Sequence, residues 1–270
     1  NEGDIWGTQT TLSITDFFER EKLAALSFNG PYDHHIVIGT GAALTHASAP
    51  LVYLDIPKNE LQYRMRAGTI TNLGCSETYG ATEMYKRFYF VDWVVLNNYK
   101  QQLLPRIHVM ADTQWPENIA WAFCGDLLEG IKDITRTSFR VRPWFEPGAW
   151  GGQWMKTHLT GLNREEVNYA WSFEMIVPEN GVLFESDGYL MEIPFEWLMY
   201  AQHEAIMGNH AGVFGYEFPI RFDFLDTFDG GNLSIQCHPS LTYIRENFGE
   251  TITQDETYYI LDCQDDATVY

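Results

Sequence analysis

The stretch that decides the fold reads FPIRFDFLDT at residues 218–227, NLSIQCHP at 232–239 and QDETYYILD at 254–262. Within the second run, Gln236 and His238 stand two residues apart. On a β-strand that spacing puts both side chains on one face. Glu256 heads another strand-like run, Thr257 to Leu261. An amide oxygen, an imidazole nitrogen and a carboxylate on neighbouring strands make three of the four donors a zinc ion takes. Alone, Gln-x-His says little, because such pairs more often face solvent or bond the next strand. Cys237 lies between the two, and strand alternation points it to the opposite, core-facing side.

Working outward, the texture of the chain changes near residue 140. From Phe139 to Trp154, proline, glycine and aromatic residues cluster. Short alternating runs follow at Gly181–Glu185 and Tyr189–Ile193, the pattern of an antiparallel β-barrel or sandwich. Upstream, helical spacing dominates. Thr15 can cap a helix through Leu26. Pro57 suits the first turn of a helix closed by Gly68. Residues 83–104 predict a long helix with an aromatic side, and 116–132 predict another. Strands are expected at 34–38 and 51–56. The expected architecture is therefore α+β: an α/β region over residues 1–140, then an antiparallel β region over 141–270.

Two motifs in the first region carry little. Gly39-Thr40-Gly41-Ala42-Ala43-Leu44 lacks the last glycine of a dinucleotide loop and the lysine of a phosphate loop. His34 and His35 are adjacent, so on a strand they point opposite ways.

Net charge is −20, and it is unevenly placed. Residues to Arg142 hold 13 basic and 16 acidic side chains, whereas those from Pro143 hold 4 and 21. Such a surface excludes nucleic acid as a partner. No apolar run approaches the roughly 18 residues of a membrane span. The four cysteines are scattered with no CxxC pair, which predicts reduced thiols and a cytoplasmic protein. The chain opens without Met and ends at Thr268-Val269-Tyr270, and it reads as a fragment or trimmed product.

The blocks around Gln236 and His238 resemble class I mannose-6-phosphate isomerase, a zinc enzyme of the cupin type. That family reads FPLLxKxLDA, LSVQVHPDDEYA and GKTExWYIL. This chain has FPIRFDFLDT, LSIQCHPSLTYI and TQDETYYIL in the same order. PWFEPGAWGGQWM at 143–155 is similar to the family's opening PxFxxRxWGG, and NYAWSF at 168–173 to its Glu-x-Trp block. The resemblance covers residues 143–270. It implies a cupin barrel, Zn2+ held by Gln236, His238 and Glu256, and a phosphorylated hexose as substrate. It implies substrate contacts from Trp150 and Ser234. The reaction would be an aldose–ketose isomerisation, most simply mannose 6-phosphate to fructose 6-phosphate through a cis-enediol. The family's fourth ligand is a histidine further downstream, so the missing C-terminal part of the parent chain is an expected partner.

Departures from the family pattern fall at three positions. Asp223 and Gln254 stand where the family has lysines, and Tyr169 where it has glutamate. Arg221, two residues before Asp223, either restores a cation for phosphate or pairs with Asp223. In the first case Arg221 acts with Ser234 in catalysis. A non-catalytic, metal-stabilised sugar-binding cupin would use the same ligands. A third reading makes the piece a structural half of a larger enzyme.

Overall fold

In the computed structural model, residues 7–269 are described. The apolar run after Pro50 forms β1 (Leu51–Asp55), and Pro57 starts α2 (Lys58–Arg66) after a short first helix α1 (Arg20–Ala24). The expected long helix is present in three parts. α3 (Ala81–Arg87) passes through a π turn at Phe88–Asp92 into α4 (Trp93–Leu103). β2 (Ile107–Asp112) then returns parallel to β1. β3 (Ala120–Phe123) pairs antiparallel with β2, and α5 (Cys124–Ile134) follows at once.

The helix expected over 116–132 is thus half strand. Trp121 and Phe123 alternate with Ala120 and Ala122, and pairing with β2 settles the ambiguity of a short apolar run. The capped helix from Thr15 is also different. Ser13 caps a short 3-10 turn at Ile14–Phe17, and only five residues of α1 follow. Residues 34–38 form no strand; Ile36 and Ile38 are exposed and pair with no strand among the described residues.

Beyond residue 140, β4 (Trp144–Glu146), α6 (Trp154–His158) and β5 (Trp171–Ile176) lead to a hairpin of β6 (Gly181–Ser186) and β7 (Tyr189–Pro194). Its turn is Asp187-Gly188, with φ of 51° and 83°. Both positive angles are what a two-residue type I′ turn needs, and Gly188 adopts its angle without a Cβ penalty. α7 (Glu196–Met207), α8 (Ala211–Phe214), β8 (Arg221–Leu225) and α9 (Leu241–Phe248) complete the order.

The strands make three small sheets, β1-β2-β3, β4-β5-β8 and the β6-β7 hairpin, and no closed barrel is present among the described residues. The chain is mixed α and β. The main core crosses residue 140. Val95, Tyr99 and Leu103 of α4, Met110 of β2, and Leu127 and Ile131 of α5 pack with Val182, Ile193, Trp197, Leu198 and Met199. A second, smaller cluster joins Met65, Met84, Phe88 and Trp93.

Buried polar links reinforce this crossing. Trp197 Nε1 donates to Asp55 Oδ2 at 2.6 Å, and Lys100 Nζ pairs with the same oxygen at 2.8 Å. The Glu192 backbone N–H donates to Asp112 Oδ2 at 2.9 Å, while Arg142 Nε pairs with the Glu192 carboxylate at 2.8 Å. Lys58 pairs with Glu196 in a buried contact. Burial, then the charge of Lys100, brings the Lys58 ammonium down to about 7.

Candidate functional site

The blocks quoted at the outset meet around the sheet β4-β5-β8. The loop holding Trp150 is tied to residues 226–231. Gly152 N–H donates to Asp226 O at 2.6 Å, Gln153 N–H to Phe228 O at 2.9 Å, and Gly231 N–H to Trp150 O at 3.0 Å. Asp226 is buried and accepts from the backbone N–H groups of Met155 and Phe228. A Cβ on Gly152 would sit 2.4 Å from the Phe228 backbone, so this close approach requires glycine. Trp150 packs edge-on against Trp171 with centroids 4.8 Å apart. Trp154 Nε1 donates to Asp262 Oδ2 at 2.9 Å, which brings the last block to the same side.

Strand register decides which groups share the face. β5 pairs Trp144 with Glu174 but Phe145 with Ser172, and β8 pairs Phe224 with Ser172 but Phe222 with Met175. One extra residue is therefore taken up near Phe173, whose φ is 50°. Without that bulge, Glu174 would lie on the Ser172 face. With it, Glu174 joins Trp144, Glu146, Arg221 and Asp223 on the opposite face. Helix α2 covers part of that face: Tyr63 meets Trp144 with centroids 6.3 Å apart, and Arg66 pairs with Glu146.

His238 and Glu256 come together. His238 Nε2 and Glu256 Oε2 are 2.8 Å apart, across 18 residues of sequence. Tyr258 donates its hydroxyl to Glu256 Oε1, and Gln254 Nε2 donates to Oε2 at 3.3 Å. The Tyr258 hydrogen bond, followed by that of His238, holds the Glu256 carboxyl below its usual range. The same bond pushes the Tyr258 phenol up to about 12. Burial, and then the charge of Glu256, raises the Asp223 carboxyl, so the pair adjoins the acidic sheet face.

The remaining expected site residues are placed differently. Gln236 and Ser234 are exposed and have no hydrogen-bond partner among the described residues. Residues 232–238 and 257–261 form no strand, so the alternation expected to align Gln236 with His238 does not operate. The free edge of β8 has no partner among the described residues, and an unpaired extended segment leaves its backbone groups to water. Ile235 is 93% exposed for that reason, and Cys237, expected in the core, is exposed too. All four cysteines are free.

Arg221 lies on β8 beside Asp223 in sequence, with no ion pair or hydrogen bond among the described residues; its charge reaches Glu179 and Glu250. By contrast, Lys156, Arg164 and Arg245 each donate to a backbone carbonyl. Tyr169 is buried, with its hydroxyl on Asn163 O at 2.9 Å and its ring edge-on to Phe145. It is a packing residue and contributes no group to the face.

The donor set suits zinc in kind: imidazole nitrogen and an ionised carboxylate, with an amide oxygen two residues away. Ligand atoms about 2.0–2.1 Å from a tetrahedral zinc lie about 3.3 Å apart, so the 2.8 Å pair must open by about half an ångström to admit one. Gln236 must also turn inward. Among the described residues, no three His, Cys, Asp or Glu side chains are grouped closely enough to hold a metal ion. Nor is any helix among them long and apolar enough to cross a membrane.

Two groups were missed by the sequence reading. Tyr258 was legible in retrospect, because Glu-x-Tyr on an extended segment puts both side chains on one side. Glu174 had a fainter signal, as the single charge in WSFEMI.

No curated protein and no solved structure matches this chain. Residues 1–136 match the family described as Domain of unknown function (DUF8485), and the chain belongs to that family.

Proposed function

We propose that residues 141–270 carry a zinc-assisted aldose–ketose isomerase site of cupin type, acting on a hexose phosphate in a reducing, cytoplasmic compartment. Mannose 6-phosphate is the first candidate substrate. The observation that carries this reading is the pairing of His238 with Glu256 beside a sheet that gathers the other resembling blocks. The free cysteines support the compartment.

The chain's own groups divide the work. His238, Glu256 and an inward-turned Gln236 would hold the metal. Zinc, when bound there, supplies a Lewis acid next to the sugar oxygens. Arg221 offers the guanidinium that a phosphate requires, since Asp223 and Gln254 replace the cations of the resembled family. Trp150 walls one side from its glycine-locked loop, and Ser234 supplies a hydroxyl once its segment folds over the sugar. Glu256 stays ionised through Tyr258, as a metal ligand must.

The acidic face favours one second reading. A site with Glu146, Asp223 and Glu256 repels phosphate, which suits a non-catalytic cupin that binds unphosphorylated sugar. The test gives mannose 6-phosphate to the zinc-loaded protein and follows fructose 6-phosphate. Product that depends on His238 and Glu256 supports the isomerase. No product from any hexose phosphate, together with binding of free mannose, refutes it in favour of the sugar-binding module.

A further inference from the structure

We propose that Glu174 is the proton-holding residue of this site, turned by the Phe173 bulge onto the acidic face of the sheet. Its purpose rests on the isomerase reading above; its geometry does not.

Glu174 is 7% exposed, and its Oε2 has no hydrogen-bond partner among the described residues. It is a carboxyl group placed inside the protein with one of its two oxygens lacking a donor. Three carboxylates face it: Asp223 on β8, Glu146 on β4 and Glu179 just beyond β5. From α2 it is faced by Arg66, which is already paired with Glu146, and by the Tyr63 phenol. An ionised carboxylate here would be desolvated, short of donors and repelled from three sides. Burial, then Asp223, pushes the Glu174 carboxyl up to about 8.

A regular β5 would have avoided all this by leaving Glu174 on the Ser172 side. The bulge does the opposite and turns the acid onto the face that carries Asp223. Bulges often re-aim a side chain at a site. Moving a proton between adjacent sugar carbons needs a group that gives and takes protons near neutral pH. Glu174 meets that requirement from its buried place on the sheet face.

The experiment compares the full chain with Glu174→Gln and Glu174→Asp. Urea midpoints are measured from about pH 5 to about pH 9. A raised folded-state carboxyl gives stability that is fully present below the unfolded value of about 4.3 and lost as pH rises through about 8. The wild type should therefore weaken across that window relative to Glu174→Gln, and the two should exchange order of stability. Glu174→Asp should keep the pH dependence. Parallel curves for wild type and Glu174→Gln would overturn the inference, because packing alone shifts the midpoint equally at every pH. If Glu174→Gln does not fold, infrared difference spectra of the wild type decide. Loss of a protonated-carboxyl band between about pH 6 and 9 supports the proposal, and its absence refutes it.

Turnover gives a separate arm. With isomerase activity in hand, Glu174→Gln should lower kcat at least tenfold and leave KM nearly unchanged. An unchanged kcat across the pH range would overturn the proton-holding role in turnover. Absence of turnover in the wild type refutes the isomerase reading, and the unfolding curves still judge the proton.

Discussion

Replacing Trp197 by phenylalanine tests whether one core truly holds both parts of the chain. Trp197 is fully buried on α7, beyond residue 140. Its Nε1–H donates to Asp55 on β1 at 2.6 Å, its ring meets Tyr53 edge-on at 5.2 Å, and Lys100 Nζ lies 5.3 Å over it. Phenylalanine keeps part of the ring and loses the donor. A hydrogen bond to a charged acceptor contributes about 1.5–3 kcal/mol. The lost portion of the indole, about 40 Å² of buried surface, adds about 1 kcal/mol. The expected cost is about 2.5–4 kcal/mol, and for a chain of this size the melting temperature should fall by about 5–10 °C. Urea unfolding should be followed by far-ultraviolet circular dichroism and by fluorescence. Both probes should show one transition, displaced as a whole. A cycle with Asp55→Asn should return a coupling of about 1 kcal/mol or more. A loss below about 1 kcal/mol would refute the packing argument, as would two transitions of which only one moves.

Gly152→Ala should cost at least about 2 kcal/mol in thermal unfolding, because its Cβ meets backbone that cannot move aside. His238→Ala and Glu256→Gln should each weaken zinc uptake more than tenfold in a competition titration with a chromogenic chelator, without lowering the melting temperature by more than a degree or two, since both are partly exposed. Arg221→Ala should raise KM for a hexose phosphate about tenfold or more and leave urea unfolding unchanged, since the side chain has no hydrogen bond or ion pair among the described residues. Gly188→Val should destabilise the hairpin by about 1–3 kcal/mol, as a β-branched residue is forced to φ of 83°.

The parts of the fold that were legible from sequence are those in which local chemistry and tertiary demand agree. Leu51–Asp55, the helix after Pro57, the hairpin around Asp187-Gly188 and the aromatic helix from Ala81 all carried both a period and a stop. Ala120–Phe123 misled because four apolar residues fit a helix or a strand equally well, and only β2 decides between them. The segment 232–238 misled for a different reason. Alternation describes how a strand would face if it were paired, and pairing depends on residues far away. Of the candidate site, the contact of His238 with Glu256 was legible, since their hydrogen bond needs no strand. Gln236 was not legible, because its direction depends entirely on backbone conformation. Glu174 was hidden by a one-residue slip in register, which no pattern of period two can anticipate.

The π turn at Phe88–Asp92 has a consequence of its own. A residue in excess rotates everything after it by about 100° around the helix axis. Met84 and Phe88 therefore face the small cluster with Met65, while Val95, Tyr99 and Leu103 face the main core. One continuous rod thus serves two cores that lie at different angles around it. The opened backbone is pinned by Asp92, which accepts from Asn72 Nδ2 at 2.7 Å and Leu73 N–H at 3.0 Å. Deleting a single residue there would restore a regular helix and leave one of the two aromatic sides facing water. The surplus residue behaves like a phase plate set into the helix, and the chain cannot lose it without rewriting one hydrophobic face.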